Sequence, residues 1–228
     1  MNDQIHIVGT NHISTDSLED IKKEFLAFQP QIICVELDKQ RFASLTQGEQ
    51  KLGWGALRVL GVRGFLFVAL SKYVQQKLGK KTGMKPGTEM LYAAQLAKNN
   101  QLTLGLIDKP IDQTIKRLMK KLRFVEVMRF FYDITLGLLP FGKKKKVAVN
   151  IAKIPQEDLI EQLIGDLAKR YPTVYQVLID ERNHYMARRL VILAKKNPEK
   201  KILSVVGAGH KKEMESLLEQ YEKTIELV

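Results

Sequence analysis

Two hydrophobic patterns alternate along the chain. The segments IHIV (5–8), QIICVEL (31–37), QLTLGLID (101–108) and KILSVVG (201–207) are short and largely apolar, as strands buried on both faces are. Between them, apolar positions recur every three or four residues. Leu18, Ile21, Phe25 and Phe28 form the first such stripe. It starts at Asp16-Ser17-Leu18-Glu19, which has the form of a capping box, and Pro30 stops it. Further helices are predicted from KPGTEM (85–90) to Asn99, and over 111–122, 156–170, 173–196 and 211–221. Tyr171-Pro172 separates two of them, since Pro is tolerated at a helix start. TIELV (224–228) reads as a last short strand.

Strands alternating with helices predict an α/β fold with a mixed, largely parallel central sheet flanked by helices. The first two strands are expected to form a parallel pair joined by a right-handed crossover. Residues 1–228 read as one domain, with helical insertions at about 51–85 and 111–150.

Composition narrows the class. Hydrophobic residues make up 45% of the chain, ample for a core. A single cysteine, Cys34, excludes a disulfide framework and reads as a small apolar core residue on a strand. The start, MNDQIHIV, lacks the basic and apolar regions of a signal peptide. No stretch reaches the ~18 apolar residues of a membrane span. The expectation is a cytoplasmic chain, soluble or peripheral to a membrane.

Net charge is +12 and unevenly spread. Residues 51–147 hold 20 Lys and Arg against 5 Asp and Glu, while the remainder holds 17 against 20. Such a block attracts anionic partners. Within it, RFVEVMRFFYDITLGLLPFGKKKK (123–146) joins apolar aromatics to four consecutive lysines, which suits an anionic membrane surface. The alternative is a helix buried against the sheet with its lysines outward. Nucleic acid is the weakest candidate partner, because no base-stacking fold accompanies the charge.

Chemistry is expected where the strands end, since ligands of open α/β sheets bind beyond the carboxyl ends of the strands. His12 follows the first strand, Glu36 and Asp38 the second, Asp108 the third and His210 the last. Both His12 and His210 stand three residues after a glycine, Gly9 and Gly207. A glycine with positive φ would turn the backbone sharply and project each imidazole over the sheet edge. Two imidazoles and a carboxylate could hold a metal ion with positions left open for water. Such an ion acidifies that water and polarises a carbonyl. The alternative is that each histidine caps a loop.

ERNHYMARRL (181–190) places Asn183 inside a predicted helix, where asparagine is unfavourable without a reason. Arg182 beside it could offer a two-pronged contact to a carboxylate or a substrate carbonyl. A solvated charged face is the alternative. His184 and His6 read as structural.

VGTNHIS (8–14), VELDKQR (35–41), KPGTEM (85–90), LIDKPIDQTIKR (106–117), ERNHYMA (181–187) and VVGAGH (205–210) occur in an order that resembles the TraB/PrgY/GumN family, which includes the Tiki proteins. The likeness is nearest to its pheromone-shutdown branch. It implies an EreA/ChaN/Tiki-like mixed α/β fold and, from the Tiki branch, a metal-dependent protease using Mn, Co or Zn. Carried onto this chain, the metal set is His12, His210 and Glu89, with Arg182 and Asn183 completing the catalytic group. Glu36, Arg41, Asp108 and Arg117 match further family positions and are the substrate-binding candidates. The implied partner is a peptide, either cleaved or merely bound. Members of that branch commonly continue into C-terminal membrane spans, so the resemblance also implies that this chain is the soluble part of a longer protein.

Overall fold

A computed structural model of the chain describes residues 3–10, 16–47, 87–138 and 156–226. Among the described residues four strands form one sheet: β1 (Ile5–Thr10), β2 (Ile32–Val35), β3 (Thr103–Leu106) and β4 (Ile202–Gly207). Their order is β1-β4-β2-β3, and every pairing is parallel. Ile202 lies opposite both Ile5 and Ile32, and Val35 lies opposite both Val205 and Leu106.

The expected β1–β2 pair is parallel, but the two strands are not neighbours, because β4 lies between them. The reason is burial. All six residues of β4 are buried, whereas β1 leaves His6 half-exposed and Gly9 partly exposed at the edge. The longer apolar run takes the interior of the sheet.

Helices cover both faces. The period of two along β2 sends Ile32 and Cys34 to one face and Ile33 and Val35 to the other. On the first face they meet Met186, Leu190, Val191 and Ala194 of α8 (Glu181–Lys196) and Met214, Leu217 and Leu218 of α9 (Ala208–Glu226). On the second they meet Ile21 of α1 (Asp16–Phe28) and Met90, Ala93 and Ala97 of α3 (Thr88–Asn99). Helix α1 closes with Gln29 in the left-handed region, at φ 51°, just before Pro30.

Around the sheet lie α2 (Lys39–Gln47), α4 (Ile111–Lys121), α5 (Phe124–Leu138), α6 (Gln156–Arg170) and the one-turn α7 (Pro172–Tyr175). A π-helical turn, Gln176–Asp180, joins α7 to α8. The chain therefore runs helically from Pro172 to Lys196, but not as the regular helix the apolar spacing predicts.

The predicted strand over 224–228 is not formed across its described part: α9 continues to Glu226. Met214, Leu217, Leu218 and Tyr221 set a helical period that carries the chain through TIE. The third strand is shorter than its apolar run, and Ile107 and Asp108 leave it.

Helix α5 does not bury its apolar stripe. Phe124, Val125, Met128 and Tyr132 are exposed, while Glu126 is buried and accepts the Thr173 N–H at 2.8 Å. Lys143–Lys146, Arg58 and Arg63 lie outside the described residues. No helix among the described residues is long and apolar enough to cross a membrane.

Candidate functional site

The strand ends bring their polar groups together because pairing continues past the strands. Glu36 N–H donates to Val205 O at 3.1 Å, Ile107 N–H to Val35 O at 3.2 Å and Asp108 N–H to Leu37 O at 3.3 Å. Glu36 and Asp108 therefore end side by side at the carboxyl edge. β4 stops at Gly207 and α9 starts at once, which places His210 in the first turn of that helix. Arg182 and Asn183 reach the same edge from the start of α8.

Arg182 is the hub. A guanidinium has five N–H donors, and each has an acceptor here. Nε donates to Asp108 Oδ1 at 3.0 Å and Nη2 to Asp108 Oδ2 at 2.8 Å, the two-pronged geometry suited to a carboxylate. Nη2 also donates to Glu36 Oε1 at 2.5 Å. Nη1 donates to Leu178 O at 3.0 Å and faces His210 Nε2 at 3.4 Å. Arg41 adds a second cation, Nη1 to Asp108 Oδ2 at 2.8 Å.

These charges are largely out of water: the side chains of Glu36, Asp108 and Arg182 are 9%, 2% and 14% exposed. Burial pushes the Glu36 carboxyl up. His210, Arg182 and the Gly207 N–H (2.7 Å) outweigh it and hold that carboxyl well below its usual range. Burial likewise works against the Arg182 charge, but Glu36 and Asp108 more than restore it and raise its pKa.

Asn183 acts on His210. Its Nδ2 donates to Glu213 Oε2 at 2.7 Å, so its Oδ1 is turned to the imidazole and accepts from His210 Nδ1 at 2.5 Å. An amide oxygen only accepts, which fixes the proton on Nδ1. Nε2 is then the variable atom. In a neutral ring it accepts from Arg182 Nη1, and in a protonated ring it donates to Glu36 Oε1, 3.2 Å away. Asn183 is fully buried, which explains an asparagine at this helical position.

Of the predicted site residues, Glu36, Arg41, Asp108, Arg182, Asn183 and His210 form one connected group. Arg117 belongs to a neighbouring group around Glu181. Asp38 instead caps α2, accepting from Gln40 and Arg41 N–H at 2.8 and 3.3 Å. Glu89 lies in the first turn of α3, fully buried. His12 lies outside the described residues. His6 bonds Glu24 at 2.9 Å and His184 bonds the Tyr221 hydroxyl at 2.8 Å, both away from this edge.

Gly9 and Gly207 do not use the expected positive φ; among the described glycines only Gly87 does. Gly9 is small for a different reason. A Cβ there would stand 3.0 Å from Lys211 Cδ and 3.3 Å from Ala208 Cα, so the start of α9 packs closely over the bare backbone of β1. Glu213 was not evident from the sequence. Its signal was spacing, since it lies three residues after His210 on one helix and thus on the same face.

A metal ion fits this edge in part. His210 has the form of a metal-ligating histidine, with one ring nitrogen held by a fixed acceptor and the other turned to charged groups. Among the described residues, however, no three His, Cys, Asp or Glu side chains are arranged to hold an ion. The second expected imidazole, His12, is outside them. The described donors supply one corner of the set.

The fold and the site define a parallel α/β protein with a buried ionic group at the carboxyl edge of its sheet. The TraB/PrgY/gumN family model matches residues 2–224, and the chain belongs to that family. It is 35% identical to an uncharacterized protein of Methanocaldococcus jannaschii over 90% of its own length and 51% of that protein. It is 27% identical to a human TraB domain-containing protein and 26% to its mouse counterpart, over 91% of this chain and 60% of each. The chain thus spans about half to three fifths of the length of these relatives.

Proposed function

We propose that the carboxyl edge is the site of a metal-dependent hydrolase acting on a peptide, with His12, His210 and Glu89 holding the ion. One observation supports this most: His210, aligned by Asn183 and Glu213, faces Glu36 and Arg182 where three parallel strands end. A bound Mn, Co or Zn ion would polarise the scissile carbonyl and acidify a water.

The chain's own groups have separable tasks. Asn183 keeps Nδ1 protonated, so Nε2 is the atom presented to a ligand. Glu36, with its depressed pKa, is a poor proton acceptor; its work is to hold Arg182 and His210 in place. Four of the five Arg182 donors are tied to Glu36, Asp108 and Leu178 O. The fifth, the 3.4 Å contact to His210, is the one able to turn to a substrate oxygen, as a preorganised donor for developing negative charge.

Elemental analysis and a peptide-cleavage assay test this together. The purified chain is expected to carry a divalent ion and to cleave, and His12→Ala with His210→Ala to lose both. A metal-free, inactive unmodified chain overturns the proposal.

A second reading, a peptide-binding module of the pheromone-shutdown kind that does not cut, draws on the same Arg182. With all five donors satisfied internally, the guanidinium serves as a structural anchor. Peptide binding by the metal-loaded chain with no cleavage would favour this reading over hydrolysis.

A further inference from the structure

Next to Arg182, Glu181 points into a different environment. Its carboxylate accepts from Lys121 Nζ at 2.9 Å, Arg117 Nε at 3.2 and 3.3 Å and Lys109 Nζ at 3.3 Å. Three cations therefore surround one anion. The side chains of Glu181 and Lys109 are each 18% exposed, and that of Lys121 is 26% exposed. Burial raises the Glu181 pKa, but the three cations outweigh it and hold the carboxyl below its usual value.

The excess of two positive charges has no second carboxylate among the described residues. Asp108, adjacent in sequence to Lys109, already serves Arg182 and Arg41. Asp112 lies 3.9 Å from Lys116, on the exposed side of α4. Like charges held together at partial burial repel, and a further anion relieves that repulsion.

The donors for such an anion are in place. Arg117 uses only Nε; its Nη1 and Nη2 bond no acceptor among the described residues, and its side chain is 45% exposed. A guanidinium with both terminal nitrogens open matches the two oxygens of a carboxylate. Location supports the assignment too. Glu181 precedes the hub residue Arg182, and Lys109 follows Asp108, whose Oδ1 accepts the Lys109 N–H at 2.7 Å. The cluster thus adjoins the carboxyl-edge site through two elements at once.

We propose that Lys109, Arg117 and Lys121 form a subsite for a carboxylate, so that the site takes acidic peptides. This rests on the peptide reading above and names the substrate class. Glu181 then serves as the fixed counter-ion that gathers the three cations, and Arg117 as the contact to the ligand.

The test reads binding without turnover. The whole chain, kept in a chelator so that metal plays no part, is titrated by NMR with the blocked peptide acetyl-Ala-Glu-Ala-Glu-Ala-amide and with its Gln counterpart. The Glu peptide is expected to bind about tenfold more tightly, the worth of one charge-assisted hydrogen bond. That preference is expected to shrink at high salt. Arg117→Gln with Lys121→Gln should abolish it, and Lys22→Gln, an exposed lysine on α1, should leave it intact.

Equal binding of the two peptides, or no binding of either, overturns the subsite. So does a preference that persists in the folded double variant. A phosphoserine peptide that binds where the Glu peptide does not overturns the carboxylate assignment. If the double variant does not fold, the Glu–Gln comparison and its salt dependence in the unmodified chain decide. Loss of this preference in a chain that still cleaves peptides removes the subsite alone. A preference in a chain that never cleaves removes the hydrolase reading alone.

Discussion

At the residue scale, Arg182 carries the site. Removing one member of a buried ionic group leaves the others charged and desolvated, which costs about 3–5 kcal/mol. Arg182→Met removes the cation shared by Glu36 and Asp108, but Arg41 still pairs with Asp108 and His210 still faces Glu36, so a loss towards the lower end of that range is expected in urea unfolding. A loss under 1 kcal/mol would mean that water reaches the carboxylates. Glu36 also predicts an acid limb. Its folded pKa lies well below the usual glutamate value of 4.5, so the folded state binds fewer protons than the unfolded one as pH falls through that range. The stability it contributes is present above about 4.5 and lost as pH falls through the folded value. Glu36→Gln is expected to flatten this part of the stability–pH curve, and an unchanged slope would remove Glu36 from the account.

The chemistry of these residues was partly legible in the chain. Strand-end carboxylates and an Arg-Asn pair in an amphipathic helix stand out by type and position. Their connections did not, because hydrogen bonds between residues 27 to 171 positions apart leave no local mark.

At the element scale, the π turn Gln176–Asp180 shows what apolar spacing misses. Its defining bond, Glu181 N–H to Gln176 O, widens one turn immediately before Glu181, Arg182 and Asn183. Such bulges are frequent at functional sites. Here a carbonyl of that turn, Leu178 O, takes one of the Arg182 donors. No residue of QVLID announces a wider turn.

Glycine tells the opposite story, because packing gives it a definite role. Gly105 of β3 faces Cys34 of β2 so closely that a Cβ would lie 2.7 Å from Cys34 Sγ. Cys34 is fully buried, and burial pushes its thiol pKa up to about 12, so it acts here as packing volume. Gly105→Ala is expected to cost about 1–3 kcal/mol. In a double-mutant cycle, Cys34→Ala should recover part of that cost. Strict additivity of the two changes would show that the sulfur is not what the methyl meets.

At the scale of the whole molecule, an exposed apolar face on one helix follows a cationic stretch of the chain. Phe124, Val125, Met128 and Tyr132 of α5 are exposed, and the exposed Lys120 and Arg123 precede its first turn. An exposed apolar stripe with cations at one end suits a helix lying at an anionic membrane surface. We propose this as a second contact of the protein. Vesicles containing phosphatidylserine are expected to co-sediment the chain, neutral vesicles to do so weakly, and Phe124→Glu with Met128→Glu to abolish the difference. Equal sedimentation with both vesicle types would count against it.

The sequence by itself determined the class. Alternating patterns of period two and 3.6 specify strands and helices, and continuous apolar runs specify strands covered on both faces, because these signals are local and repeat along the chain. The tertiary structure decided the order of the strands, with β4 inserted between β1 and β2, and the use of Gly9 as clearance for α9. It also decided that Arg182 would spend its donors on Glu36 and Asp108. Those outcomes depend on which buried surfaces and charges find each other across long separations, and that is settled by the total burial and pairing of the folded chain.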